Sequence, residues 1–80
     1  MENNNKNLRD YLTIFNEELN IEDRRIICES IGCSKSTLYN YLNPNFEIPD
    51  NYVGNTMSEG IKNEGLNILT NRRDKLINQL

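Results

Sequence analysis

The 80 residues are expected to form a single domain, residues 1–80. A chain of this length buries only about 60% of the surface that it exposes when unfolded, which is too little for two independent cores. A net charge of −3, from nine basic and twelve acidic residues, excludes a globally positive surface, so any nucleic-acid contact must depend on a few well-placed cations. Cys28 and Cys33 are five residues apart and there is no histidine, so neither a metal site nor a redox motif is expected.

Two helices are predicted in the first part of the chain, after a polar stretch at residues 1–6 that is expected to be a frayed tail. Apolar residues at helical spacing predict an amphipathic helix over residues 7–19. A second helix is predicted over residues 21–31, with Asn20 as its N-cap and Asp23 placed favourably for the helix dipole. The residues expected to face the core are Leu8, Tyr11, Leu12, Ile14, Phe15 and Leu19, followed by Ile26, Ile27 and Ile31.

A tight turn and a third helix follow. Gly32 stands where the end of a helix often requires a left-handed residue, a conformation that glycine adopts without strain. Ser34 is a good N-cap for a helix over residues 35–42. The residues of this region that are expected to be buried are Cys28, Cys33, Leu38, Tyr41 and Leu42.

A connector is predicted over residues 43–54. Pro44 cannot continue the third helix, so this segment is expected to be extended. Phe46 and Ile48 are its apolar residues and are expected to attach it to the core.

The last helix is predicted over residues 55–80, with a start that can lie anywhere between residues 51 and 56. Thr56 and Glu59 form a capping-box pattern at its start, and the apolar spacing persists despite two glycines. The predicted apolar stripe is Val53, Met57, Ile61, Leu66, Ile68 and Leu69, and Leu76, Ile77 and Leu80 either extend it or belong to a separate turn after Asn71. The sequence therefore predicts an all-α bundle of four helices, or of five if the C-terminal segment is separate.

Residues 21–42 contain two short helices joined by a glycine-containing turn, a unit that in DNA-binding proteins sets its second helix into the major groove. On this arrangement, residues 24–43 resemble the helix-turn-helix of the phage lambda repressor and Cro family. In the family pattern Cys28 matches the small buried position and Gly32 the turn glycine. Ile27, Ile31, Cys33, Leu38 and Tyr41 match its buried apolar positions. The resemblance implies a lambda-repressor-like fold that binds double-stranded DNA.

The resemblance also implies which residues face the bases. Lys35, Ser36 and Asn40 match base-facing positions, where lysine can donate to guanine and asparagine can pair with adenine. Tyr39 is expected either to contact the sugar-phosphate or a thymine methyl group, or to join the core. Ser34, at the start of the same helix, completes this side of the predicted interface.

Three further residues match positions near the phosphates, namely Arg24, Thr37 and Asn43. The sequence has no acidic residue between Glu29 and Glu47, which favours DNA binding by this region. Residues 34–42 also resemble the recognition helix of tetracycline-repressor-type regulators. The chain is too short for their ligand-binding domain, so no small-molecule ligand is expected.

These features predict a DNA-binding regulator of transcription, a repressor of the kind found in phages or mobile elements. Two alternatives remain open. The same fold could be a protein-interaction module, such as an accessory or antirepressor protein, which the negative net charge favours; or it could bind DNA without sequence preference. No nucleophile–base pair or phosphate-binding loop is recognisable in the sequence, so neither an enzyme nor a cofactor is expected.

The C-terminal helix could also pair two copies of the chain. Leu66, Leu69, Leu76 and Leu80 follow a short heptad-like spacing, which either closes the core or pairs two chains. A homodimer would place two reading helices about 34 Å apart. Arg72, Arg73 and Lys75 are expected on a solvated face. Without a visible signal peptide or apolar span, the protein is expected in the cytoplasm of a bacterium or phage-infected cell.

Overall fold

The computed structural model describes residues 7–79, and this part of the chain consists of helices and their connections, without strands. The helices are α1 (Leu8–Glu18), α2 (Ile21–Ile31), α3 (Lys35–Leu42) and α4 (Tyr52–Asn78). The all-α prediction is confirmed for these residues. Because α4 continues unbroken to Asn78, no separate fifth helix follows Asn71. The predicted tail at residues 1–6 and Leu80 lie outside the described residues.

Local capping interactions fix the ends of α2 and the start of α3. The Asp23 backbone N–H donates to Asn20 Oδ1 (2.7 Å), and the Asn20 N–H donates to Asp23 Oδ2 (3.0 Å), which completes a capping box. Gly32 has the left-handed φ of +72° that ends α2. Ser34 then caps α3 by accepting a hydrogen bond from the Thr37 N–H (3.1 Å). The bounds predicted for both helices are confirmed.

α4 begins within the predicted interval of residues 51–56, but the capping box predicted at Thr56 is not its start. Asn51 caps the helix by accepting from the Gly54 N–H (2.8 Å), so the helix begins at Tyr52 and not at residue 55, and Thr56 lies inside it. The connector also packs closely on this turn, since a Cβ atom at Gly54 would collide with the Pro49 carbonyl oxygen. The first turn of α4 therefore packs directly on the chain that precedes it.

The core is formed by side chains from all four helices. α3 and α4 each pack against both α1 and α2. The buried apolar residues are Leu12, Phe15 and Leu19 of the α1 region, Ile27 of α2, Leu38, Tyr41 and Leu42 of α3, and Ile61 of α4. Phe46 and Ile48 of the connector are half-buried against this core, as predicted.

Several residues predicted to be buried are not. Ile26 and Val53 are exposed, and Cys28 and Cys33 are half-buried at the edge of the core. Ile26 is exposed because α2 turns only the side that carries Ile27 fully inward. Leu76 and Ile77 are 60% and 56% exposed, because the last turns of α4 extend past the helices on which it packs.

The buried face of α4 consists largely of small residues. Its buried residues are Gly54, Ser58, Ile61 and Gly65, which recur at helical spacing. A Cβ atom at Gly65 would lie 2.6 Å from the Phe15 ring, so α4 approaches α1 more closely than a larger residue would allow. The glycines, read from the sequence as interruptions of the stripe, are part of the packing surface.

Two arginines connect elements that are distant in sequence. Arg9 donates to the carbonyl oxygens of Asn43 (3.1 Å) and Phe46 (2.9 Å), which joins α1 to the end of α3 and the connector. Arg72 pairs with Asp23 at 2.6 Å, and it remains exposed together with Arg73 and Lys75, as predicted for a solvated face. Among the described helices, none combines the length and apolar character that crossing a membrane requires.

Candidate nucleic-acid interface

One face of α3 is exposed along its whole length. Lys35, Ser36, Tyr39 and Asn40 all lie at the surface, and their spacing of three and four residues places them side by side. The opposite face of the helix carries the three buried residues of the core. Because α4 packs on α1 and α2, it leaves this exposed face, hereafter the α3 face, uncovered.

The α3 face begins at a helix N-terminus that carries positive charge. The N–H groups of the first turn give this end a partial positive charge, and Lys35 is its first residue. The first turn contains no acidic residue. This end of α3 is therefore the most favourable place on the helix for an anionic group.

Tyr39 lies between two cations on the α3 face. The guanidinium carbon of Arg24 is 4.8 Å from the centre of the Tyr39 ring, and Lys35 Nζ is 5.8 Å from it. Both distances are within the range of cation–π attraction. The ring is 37% exposed, so Tyr39 belongs to the surface and not to the core, which answers the question that the sequence left open.

Arg24 also makes hydrogen bonds within the fold. Its Nε donates to the Leu19 carbonyl oxygen (3.1 Å) and its Nη2 donates to that of Asn16 (2.8 Å), at the C-terminal end of α1. These carbonyls lack partners within their own helix, so Arg24 caps α1. Two of the five guanidinium donors are used in this way, so the predicted phosphate contact would have to use the others.

Ser34 and Thr37 are also occupied by local structure. Ser34 Oγ accepts from the Thr37 N–H and donates to Thr37 Oγ1 (2.9 Å), and Thr37 is half-buried. Asn43 is exposed at the end of α3, and its Oδ1 accepts from the Asn45 N–H (2.9 Å). Of the eight predicted contact residues, the structure exposes six on α3 or at its two ends, namely Ser34, Lys35, Ser36, Tyr39, Asn40 and Asn43.

A groove beside Lys35 was not predicted from the sequence. It lies between α2 and the start of α3, and its lining residues are Ile21, Arg24, Arg25, Cys28, Glu29 and Lys35. Glu29 accepts from Arg25 Nη1 (2.6 Å), and Arg25 also pairs with Glu22. The hydrogen bond from Arg25 lowers the pKa of Glu22, and the two carboxylates raise that of Arg25.

The groove changes the electrostatic surroundings of the α3 face. Residues 30–46 contain no acid, yet folding brings Glu29 to the groove that Lys35 also lines. The pairing with Arg25 compensates part of this negative charge. The position of the acid could not be found by counting along the chain, because it depends on how α2 and α3 cross.

Comparison of the chain with known protein families, with characterised proteins and with solved structures gave no match.

Proposed function

We propose that this protein is a sequence-specific regulator of transcription that binds double-stranded DNA. In this proposal α2, the turn at Gly32 and α3 act as a helix-turn-helix of the lambda repressor type, and α3 enters the major groove. The observation that carries the proposal is the uncovered α3 face, whose own residues are polar and include no acid, with a cation at its N-terminal end. A repressor of this kind acts by occupying an operator.

The chemistry of the α3 face suits base recognition. Lys35 can donate to the O6 and N7 acceptors of guanine, and Asn40 can pair with N6 and N7 of adenine. A good contact of this kind discriminates between bases by about 1–3 kcal/mol. Ser36 lies beside Asn40 on the exposed side and can either donate or accept, so it adds a contact without selecting one base.

The small number of cations requires a second source of affinity. With a net charge of −3, the chain gains little from general attraction to phosphate. We therefore include in the proposal that two copies pair through the exposed end of α4, where Leu76 and Ile77 are uncovered. Such a dimer presents two α3 faces to successive turns of DNA, about 34 Å apart.

The proposal is tested by titrating labelled DNA at several salt concentrations, after selection of bound sites from a random pool. We expect a consensus sequence and an affinity that falls steeply with salt. Lys35→Ala should weaken binding and reduce the salt slope by about one unit. Lys62→Ala is the matched control, because it removes the same charge from α4, where Lys62 Nζ lies 5.3 Å from the Tyr11 ring.

A protein-interaction module is the second candidate, and the groove beside Lys35 favours it. That groove is largely apolar, and Ile21 at its edge is 71% exposed. Absence of DNA binding at about 50 mM salt, where electrostatic attraction is strong, would reject the regulator and favour this candidate. Salt-dependent binding without a consensus would instead indicate an architectural DNA-binding protein.

A further inference from the structure

The two cysteines lie on either side of the turn that joins α2 to α3. Cys28 is in the last turns of α2, and Cys33 follows the left-handed Gly32. The backbone N–H groups of Gly32 (2.9 Å) and Cys33 (3.0 Å) both donate to the Cys28 carbonyl oxygen. The backbone hydrogen bond from Cys33 to Cys28 is the one that closes a Schellman motif, a helix end in which the side chains at these two positions commonly touch.

The Cys28 thiol faces the turn that separates the two cysteines. Cys28 Sγ donates to the Ser34 carbonyl oxygen (3.6 Å), which directs it towards the turn. Burial raises the pKa of Cys33 to about 11, and the neighbouring Cys28 thiol contributes to this shift. Both residues are half-buried, so a small reagent can still reach them.

We propose that Cys28 and Cys33 form a dithiol site that closes to an intrachain disulfide by exchange with a low-molecular-weight disulfide such as oxidised glutathione. The Cys28 thiolate attacks one glutathione sulfur, so the Cys28–glutathione bond forms, the glutathione disulfide breaks and one glutathione thiolate leaves. The Cys33 thiolate then attacks the Cys28 sulfur and releases the second glutathione. The two protons lost by the protein thiols pass through solvent to the departing glutathione thiolates, so two protein thiols are oxidised and one glutathione disulfide is reduced to two thiols.

The location of the site gives the reaction a structural consequence. In the reduced protein the Cys28 thiol donates to the carbonyl of Ser34, the N-cap residue of α3. Closure removes this donor and replaces it with a covalent bond across the turn immediately before α3. The inference concerns the chemistry of the turn and does not depend on whether the protein binds DNA.

The site is tested by equilibrating the folded protein with glutathione redox buffers and measuring intact mass after acid quenching. We expect the wild type to lose two hydrogens without retaining glutathione. The matched controls are Cys28→Ser and Cys33→Ser, each of which should stop at a mixed disulfide. Glutathione adducts on both wild-type cysteines, or disulfide-linked pairs of chains, would overturn the proposal.

Repeating the glutathione equilibration in concentrated urea distinguishes the effect of the folded turn from the effect of the short distance between the cysteines along the chain. Two cysteines five residues apart can also form a disulfide in the unfolded chain. The relevant quantity is therefore the equilibrium constant for disulfide formation in the folded protein divided by that in the unfolded protein. We expect closure to be favoured roughly tenfold in the folded protein, which corresponds to about 30 mV in reduction potential. An equal or smaller constant in the folded protein would show that the turn does not form such a site.

Discussion

Tyr39 of α3 is linked to α2 and α1 through the side chain of Arg24. Its ring lies under the guanidinium of Arg24, and Arg24 in turn caps the C-terminal end of α1. The same ring attracts Lys35, the cation at the start of the α3 face. Tyr39 therefore positions the cations of this surface, in addition to any contact that it makes itself.

A double-mutant cycle measures the attraction between Arg24 and Tyr39. We expect a coupling free energy of about 0.5–1 kcal/mol between Arg24→Met and Tyr39→Leu, because both remove the cation–π contact. Tyr39→Phe keeps the aromatic ring, so its coupling with Arg24→Met should be close to zero. The free energies of unfolding come from urea titrations. Equal coupling for the leucine and phenylalanine variants would show that the ring face is not involved.

At the level of the helices, α4 shows packing overriding intrinsic propensity. Glycine in a helix interior costs about 1 kcal/mol relative to alanine, yet the helix contains three glycines. Two of them, Gly54 and Gly65, are at close approaches to other parts of the chain. The cost in propensity is offset by the close contact that these residues permit between α4 and its neighbours.

Gly65→Ala should destabilise the fold although it improves helix propensity. The new Cβ atom would lie 2.6 Å from the fully buried Phe15 ring, and overpacking of this kind costs about 1–3 kcal/mol. After the gain of about 1 kcal/mol in propensity, we expect a net loss of up to about 2 kcal/mol. Urea unfolding measures it, and Phe15→Leu in the same chain should recover part of the loss.

Gly60→Ala is the matched control in the same helix. Its Cβ atom would lie 3.3 Å from Cγ2 of the half-buried Ile31, which can shift by the small distance required. We therefore expect an unchanged stability or a gain of up to about 1 kcal/mol from propensity. If the two glycine variants had the same stability, contact with Phe15 would not be the reason for glycine at position 65.

The features that sequence predicted best are those set by neighbouring residues. Asn20, Gly32 and Ser34 determine the ends of α2 and α3 through bonds to residues within five positions, so both helices were predicted residue by residue. The exposure of Lys35 and Asn40 followed from the same periodicity. Contacts that depend on how two helices cross were not predictable, such as the capping of α1 by Arg24 and the position of Glu29 in the groove that Lys35 also lines.

Hydrophobic periodicity was least informative for α4. It treated Gly65 as an interruption, whereas the structure buries that glycine and leaves Val53 at the surface. A search for small residues at helical spacing could have found this face. The cysteine pair could also have been recognised, since Gly32 was already identified as the left-handed residue between them.

For the molecule as a whole, the projecting end of α4 is the main structural feature that the core does not explain. The helix has 27 residues and is therefore about 40 Å long, but beyond Leu69 all its described residues are exposed. Arg72 attaches part of this segment to Asp23 of α2. A helical segment as short as the exposed part of α4 after Leu69 is only marginally stable in water by itself, so pairing with a second copy would stabilise it.

The double variant Leu76→Glu/Ile77→Glu tests this pairing. It places two like charges in a surface that a second copy would cover, so we expect sedimentation equilibrium to show a monomer where the wild type shows a dimer. Tyr52→Glu/Val53→Glu is the matched control at the other end of α4, because these neighbours are 82% and 65% exposed and undergo the same change in charge. A wild type that stays monomeric over the concentration range, or equal dissociation of both variants, would reject pairing through the end of α4. DNA binding would then depend on the few cations of a single α3 face.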